Sequence, residues 1–218
     1  ATPPEFLADA GLLPGSATDA GDGDFCSSAD VNDDGRPDFF FHFNGGRLFL
    51  SDGAGGYTSD DRGIAVATSP SAKFGSAWAD YDNDGDLDLL VARRAPGSAP
   101  YLWRNPGGQA DFQNVAIAAG LTTTVGVAGC CWGDYDNDGD LDLYLTAAAG
   151  QNILYQNQGG PGWAFVAVDE GVSIEGRAGD ACFVDYDNDG DLDLAVSSEH
   201  ASFPTRLFLN NVNGNSSL

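Results

Sequence analysis

The chain has 218 residues, 42% of them hydrophobic, with 33 acidic side chains against 9 basic ones and a formal net charge of −24. That length is enough to bury a real core, and the negative charge excludes nucleic acid and anionic membrane surfaces as partners, since both are bound by clustered Lys and Arg. No apolar run approaches the roughly 20 residues that span a bilayer, so no membrane insertion is expected, and the 11% aromatic content argues against disorder.

In chain order, the first element is a short segment from Phe6 to Leu12 that opens on an aromatic and ends past a Gly. An acidic loop, DVNDDGRPDFFF, begins at Asp30. RLFLSDGAGG and a second aromatic-to-Gly segment, YTSDDRGI, follow it. The same succession then returns. GSAWAD leads into DYDNDGDLDLLV at Asp80, followed by PYLWRNPGG and FQNVAIAAGL. GCCWGD leads into DYDNDGDLDLYL at Asp134, followed by NILYQNQGG and FVAVDEGV. GDACFVD leads into DYDNDGDLDLAV at Asp185, followed by RLFLNNVNG. Such a repeat, about 50 residues long, has to be recognised before any other structure is assigned.

After three of the loops apolar residues alternate (Leu87, Leu89, Val91; Leu141, Leu143, Leu145; Leu192, Leu194, Val196), which is the period of a strand. No segment sustains a helical period. Each unit therefore reads as about four short strands with tight turns. Units 1–55, 56–110, 111–163 and 164–218 fill the chain as one all-β domain, a β-propeller of four blades of ~50–55 residues. The chain opens on a fourth-strand segment and ends just after a third one (Leu207, Phe208, Leu209). Two arrangements follow from that permutation. Either the N-terminal segment completes the last blade and closes a ring, or it completes a neighbour's blade in an open array that self-associates head to tail.

The loops carry the chemistry. Oxygen donors at positions 1, 3, 5 and 9, with the backbone carbonyl at 7, supply the hard ligands that Ca²⁺ takes, and Gly at position 6 allows the sharp turn. Four calcium sites are expected. The first is Asp30, Asn32, Asp34, the Arg36 carbonyl and Asp38. The second is Asp80, Asp82, Asp84, the Asp86 carbonyl and Asp88. The third is Asp134, Asp136, Asp138, the Asp140 carbonyl and Asp142. The fourth is Asp185, Asp187, Asp189, the Asp191 carbonyl and Asp193. With Asn32 in place of a carboxylate and Arg36 in place of Asp, the first loop is expected to bind most weakly. An EF-hand is excluded, because position 12 is Phe41, Val91, Leu145 or Val196 rather than Glu. Magnesium suits an all-protein cage poorly. Four divalent ions would bring the net charge from −24 to −16, so metal binding is expected to be coupled to folding.

No catalytic constellation stands out. His42 and His200 accompany no nucleophile motif, and the patterned carboxylates already have a metal role, so the chain is read as not an enzyme. Trp78 and Trp132 share a repeat position and read as core. Trp103 and Trp163 lie nearer turns and are the candidates for a carbohydrate-binding surface. Lys73, Arg93, Arg94 and Arg104 form a basic group that reads as a solvated face. Cys26, Cys130, Cys131 and Cys182 are compatible with disulfides, their connectivity open, and Asn215 opens a glycosylation sequon. The absence of Met, the cysteines and the calcium loops together point to a secreted protein with its leader removed. Its partner would be an extracellular protein, a glycan or another copy of itself.

The DYDNDGDLDL loops, with the FQNVAIAAGL and NILYQNQGG segments around them, resemble the FG-GAP/VCBS repeats of integrin α-subunit propellers and of secreted proteins akin to cartilage acidic protein. The resemblance covers essentially the whole chain. It implies a β-propeller with calcium in the hairpin loop between the first two strands of a blade, and a role in adhesion or extracellular recognition. Four units depart from the usual number of about seven.

Overall fold

The computed structural model describes residues 26–42, 46–66, 75–123, 125–175, 178–198 and 204–212. Within them the chain is all-β, with fifteen strands in four antiparallel sheets. The first sheet is β1 (Cys26–Ala29), β2 (Asp38–Phe41), β3 (Arg47–Ser51) and β4 (Tyr57–Ser59). The second is β5 (Ser76–Ala79), β6 (Asp88–Val91), β7 (Tyr101–Arg104) and β8 (Gln113–Asn114). The third is β9 (Val127–Gly133), β10 (Asp142–Ala147), β11 (Ile153–Asn157) and β12 (Phe165–Val168). The fourth has three strands, β13 (Ala178–Val184), β14 (Asp193–Ser198) and β15 (Arg206–Phe208). Each sheet is a meander in sequence order. The unit boundaries at 55/56, 110/111 and 163/164 fall between the third and fourth strands of the first three sheets.

Every acidic loop closes the hairpin between a first and a second strand. The residue before the loop pairs with the loop's last Asp: Ala29 with Asp38, Ala79 with Asp88, Gly133 with Asp142 and Val184 with Asp193. The second strands are the most buried. Every residue of β6 and of β10 is buried, so the alternation seen in the sequence described only one of two apolar faces. The reason is that the sheets stack face to face, and β6 and β10 each lie between the sheet before and the sheet after.

The cores lie between consecutive sheets. Val31, at the second position of the first loop, packs with Leu89, Val91, Trp103 and Phe112 of the second sheet. Tyr81 does the same with Leu143, Leu145, Tyr155 and Phe165, and Tyr135 packs with Phe183, Leu194, Val196 and Phe208. One amide fastens each junction. Asn105 Nδ2 donates to the Val31 carbonyl at 3.2 Å, Asn157 to the Tyr81 carbonyl at 3.0 Å and Asn210 to the Tyr135 carbonyl at 2.6 Å. In the first sheet the corresponding residue is Ser51, whose N–H, like those of the three Asn residues, donates to the last Asp of its own loop. Among the described residues the forward face of the fourth sheet has no such cover. Tyr186 is 62% exposed and Leu207 42%, where their equivalents Tyr81 and Leu102 are 3% and 0%.

The innermost strands β1, β5, β9 and β13 run side by side and line a cavity of about 360 Å³ with Cys26, Ser76, Cys130 and Asp180. Their close approach needs glycine. A Cβ at Gly133 would sit 2.6 Å from the Phe183 ring, and one at Gly75 would sit 3.2 Å from the Gly129 Cα.

Several side-chain assignments change in three dimensions. Trp103 is not a surface residue. It is 7% exposed, stacked on Tyr101 with ring centroids 5.7 Å apart, because β7 lies beneath the first loop. Trp163 is half-buried against the core between the second and third sheets. Trp78 and Trp132 are core residues, Trp132 stacked on Tyr81. The basic residues do not form one solvated face. Arg93 lies over the Tyr101 ring, Arg94 lines the central cavity and Arg104 pairs with Asp82. All four cysteines are free thiols, and burial pushes Cys130 up to about 12 and Cys131 higher still. His42 is buried just past β2. The Phe6–Leu12 segment, Lys73, His200 and Asn215 lie outside the described residues.

Candidate metal centres

Each nine-residue loop is folded by its own carboxylates before any ion is considered. The first Asp accepts two backbone N–H bonds, from positions 5 and 6. In the second loop Asp84 N donates to Asp80 Oδ1 at 3.0 Å and Gly85 N to Oδ2 at 3.0 Å. The other loops repeat this pair of bonds at Asp30, Asp134 and Asp185. The fifth-position side chain then accepts from the seventh N–H, as Asp138 does from Asp140. The turn requires positive φ at positions 4 and 6. Asp33, Asn83, Asn137 and Asn188 lie between 53° and 60°, and the glycines between 79° and 94°. Asp and Asn tolerate that region best among non-glycine residues, which explains the invariably Asx fourth position.

The ninth-position Asp is the hub. Asp38, Asp88, Asp142 and Asp193 are at most 1% exposed. In each, one oxygen accepts the N–H of loop position 2 and the other the N–H of a residue at or just past the end of the third strand. For Asp142 these bonds are 3.1 Å from Tyr135 and 2.8 Å from Asn157. Burial raises three of them: Asp88 to about 8, Asp142 to about 7, and Asp38 above its ordinary range. Neighbouring loop carboxylates push the same way, Asp82 on Asp88 and Asp136 on Asp142.

Positions 1, 3 and 9 come together. Asp80, Asp82 and Asp88 place one carboxylate oxygen each within 4.8 Å of one another, and so do Asp134, Asp136 and Asp142, and Asp185, Asp187 and Asp193. Asp84, Asp138 and Asp189, expected as ligands, lie outside these triads. The first loop forms no carboxylate triad, since position 3 is Asn32, and the Arg36 guanidinium already pairs with Asp34.

The donor set fits a hard cation. Asp82 Oδ1, Asp136 Oδ1, Asp187 Oδ1 and Asp189 Oδ2 are buried oxygens without a hydrogen-bond partner, and an unpartnered buried carboxylate oxygen is costly unless a cation meets it. The chemistry such an ion supplies is charge neutralisation and cross-linking of the hairpin.

The three triads are not equivalent, for a reason the loop motif does not carry. Arg104, just ahead of the fastening Asn105, lies 3.2 Å from Asp82, and Gln156 in the same place donates to Asp136 at 2.6 Å. Leu209 is the counterpart in the fourth repeat and offers Asp187 no such polar partner. Affinity should therefore fall from the fourth triad to the third, the second and then the first loop. Removing the competing cation with Arg104→Gln is expected to tighten the second site about tenfold, read by calcium titration calorimetry. No change would remove the guanidinium from the ranking.

The loops are also tied to one another, which the sequence reading missed. Asn83 donates to the Asp140 side chain and Asn137 to the Asp191 side chain, both at 2.8 Å, so position 4 of one loop holds position 7 of the next. Between the first two loops the same places hold Asp33 and Asp86, two like charges, and the Asp86 carboxyl is raised by burial, then by Asp84 and Asp33. The signal was present as an Asn at position 4, but its partner lies more than fifty residues away.

Among known proteins, the FG-GAP-like repeat family matches residues 30–91, 80–145 and 134–196, each match running from one acidic loop through the next. The chain is 25% identical to mouse cartilage acidic protein 1 over 213 residues, covering 92% of this chain and 30% of that protein. It is likewise 25% identical to the human protein, covering 29% of it. The chain thus spans less than a third of the length of these relatives. Three overlapping matches, the hairpin loops and the four meander sheets agree: this chain belongs to the FG-GAP-like repeat family.

Proposed function

We propose that this chain is an extracellular calcium-binding module of β-propeller type, non-catalytic, that serves adhesion, recognition or structural scaffolding, with the ions stiffening its four blades. The observation that carries the reading is the triad of carboxylates at the same place in three successive repeats, each with a buried oxygen lacking any other partner. Three strong calcium ions sit in those triads, completed by Asp84, Asp138 and Asp189 and the carbonyls of Asp86, Asp140 and Asp191. A weaker fourth is held by Asp30, Asn32, Asp34, Asp38 and the Arg36 carbonyl.

The family membership and the cartilage acidic protein relatives support an extracellular setting, where calcium is abundant enough for such sites to fill. No helix among the described residues is long and apolar enough to cross a membrane. An extracellular protein or glycan is the partner that fits a strongly acidic, ion-stiffened surface.

The test is calcium titration of the full chain after chelation. Saturable uptake of at least three ions is expected, with Asp187→Asn removing one of them. Lack of uptake at millimolar calcium would end this reading.

A further inference from the structure

Arg62 is the one buried arginine or lysine among the described residues, 5% exposed, and no acidic loop or strand pairing accounts for it. It sits in the turn after β4 at a φ of 41°, a region that a long side chain adopts at a cost, so its bonds must hold it there. The guanidinium reaches across to the second sheet. Nε and Nη2 donate to the Ala110 carbonyl at 3.1 and 2.8 Å, and Nη2 also donates to Asn105 Oδ1 at 3.0 Å. Its Cζ lies 4.8 Å from the centre of the Phe112 ring, and the Arg62 carbonyl accepts the Phe112 N–H at 2.8 Å. Asn105 is the amide that fastens the first junction, so one side chain grips both the fastener and the segment leading into β8.

The surroundings are acidic. Burial works against the charge of Arg62, and the carboxylates of Asp60, Asp86, Asp111 and Asp38 work for it. Asp38 is the buried hub of the first loop and Asp86 belongs to the second, so the guanidinium answers carboxylates of two loops. The other junctions have no such group. By register its place is taken at the second by Ala119, whose carbonyl accepts the Phe165 N–H at 2.7 Å, and at the third by Glu170. The donors for an ion run the opposite way. The first loop has no carboxylate triad, whereas the second and third have one each, with Asp82 Oδ1 and Asp136 Oδ1 buried and unpartnered. Arg104 gives the second triad a half-exposed substitute cation, and the third has only the neutral Gln156. A fixed cation is thus buried where the ion's ligands are poorest, and missing where they are complete.

We propose that Arg62 is a built-in counter-ion that takes calcium's place at the first junction, so that loss of calcium loosens the later sheets while the first two stay docked. The contrast between junctions rests on the calcium reading above. The physical reason is that carboxylates crowded at a junction repel until a cation meets them, and a guanidinium held in a low-dielectric interior does so without an ion. Dependence on calcium therefore rises from the first junction to the third.

Hydrogen exchange on the full chain, in millimolar calcium and after chelation, reads the junctions one by one. Peptides spanning 105–114 should keep their protection on chelation, whereas those spanning 193–198 should exchange about tenfold faster. Arg62→Met keeps an unbranched apolar stem and removes the charge. It should make 105–114 follow calcium as well, about tenfold faster in chelator and slowed again by calcium, because the first loop then has only the ion to answer its carboxylates. Arg62→Lys, which keeps the charge, should stay closer to the parent in chelator. Equal loosening of all three junctions in the parent chain would overturn the proposal, and that comparison needs no variant to fold. So would an Arg62→Met loss of the same size at every calcium level, which would make Arg62 a packing residue only. Calorimetry on the same samples separates this from the calcium reading. Ion uptake with equal loosening overturns the role of Arg62 alone, and no uptake at all overturns both.

Discussion

Chelating calcium from the full chain should lower its melting temperature by about 20 °C. Each site filled at a hundred times its dissociation constant adds about 2.7 kcal/mol to folding, so three triads add about 8 kcal/mol. That is comparable with the whole stability of an ordinary domain, about 5–15 kcal/mol. At this chain length each kcal/mol moves the midpoint by about 2–4 °C. The electrostatics point the same way, since a net charge of −24 repels itself most in the compact state.

The pH dependence should reverse with the metal. Asp88 and Asp142 have folded pKa values of about 8 and about 7, above the ~3.9 of an unfolded Asp. Below that value both states hold the proton and there is no penalty. As pH rises, the unfolded chain releases its protons first, so metal-free stability falls progressively until the folded carboxyls also ionise, near pH 7–8. With calcium, ionised carboxylates are ligands and stability rises over the same range. Melting curves from pH 5 to 8, with calcium and with chelator, should therefore cross. Parallel curves would mean that the ion does not sit on these carboxylates.

The second large effect separates what the buried ninth-position Asp does for the fold from what it does for the ion. Asp142→Ala leaves the N–H groups of Tyr135 and Asn157 without their acceptor. At about 1–3 kcal/mol for each buried orphan, the loss should be about 4 kcal/mol, and in high calcium about 2–3 kcal/mol more as the site empties. Asp38→Ala orphans Val31 and Ser51 in the same way, but in a loop that already lacks a triad. Its loss should be about 4 kcal/mol in low calcium, with a smaller addition in high calcium than Asp142→Ala shows, because its site is the weakest. Urea unfolding of both variants in low and high calcium makes the comparison. A calcium-independent loss for Asp142→Ala would leave the ninth Asp a purely structural residue.

Much of this molecule could be read from local pattern. The Asp-x-Asp/Asn-x-Asp-Gly spacing gave the loops, and the strands on either side followed from alternation and from the Gly-rich turns. The family resemblance rested on the same residues. Trp103 was misplaced because a residue near a turn looks exposed until the neighbouring sheet is laid over it. The basic group dissolved for a related reason: Arg93, Arg94 and Arg104 are near in sequence but stand on a ring, a cavity and a carboxylate.

The sequence by itself determined that four hairpins exist, that each is closed by an acidic loop, and that oxygen ligands are concentrated there. These are consequences of φ/ψ preference, side-chain length and spacing within nine residues. Only the tertiary structure decided that positions 1, 3 and 9 converge, that Arg104 and Gln156 crowd two triads while Leu209 offers the third no such polar partner, and that Asn83 and Asn137 tie successive loops together. Each of those depends on groups brought together by sheet pairing or sheet stacking, at separations over which a local pattern carries no information.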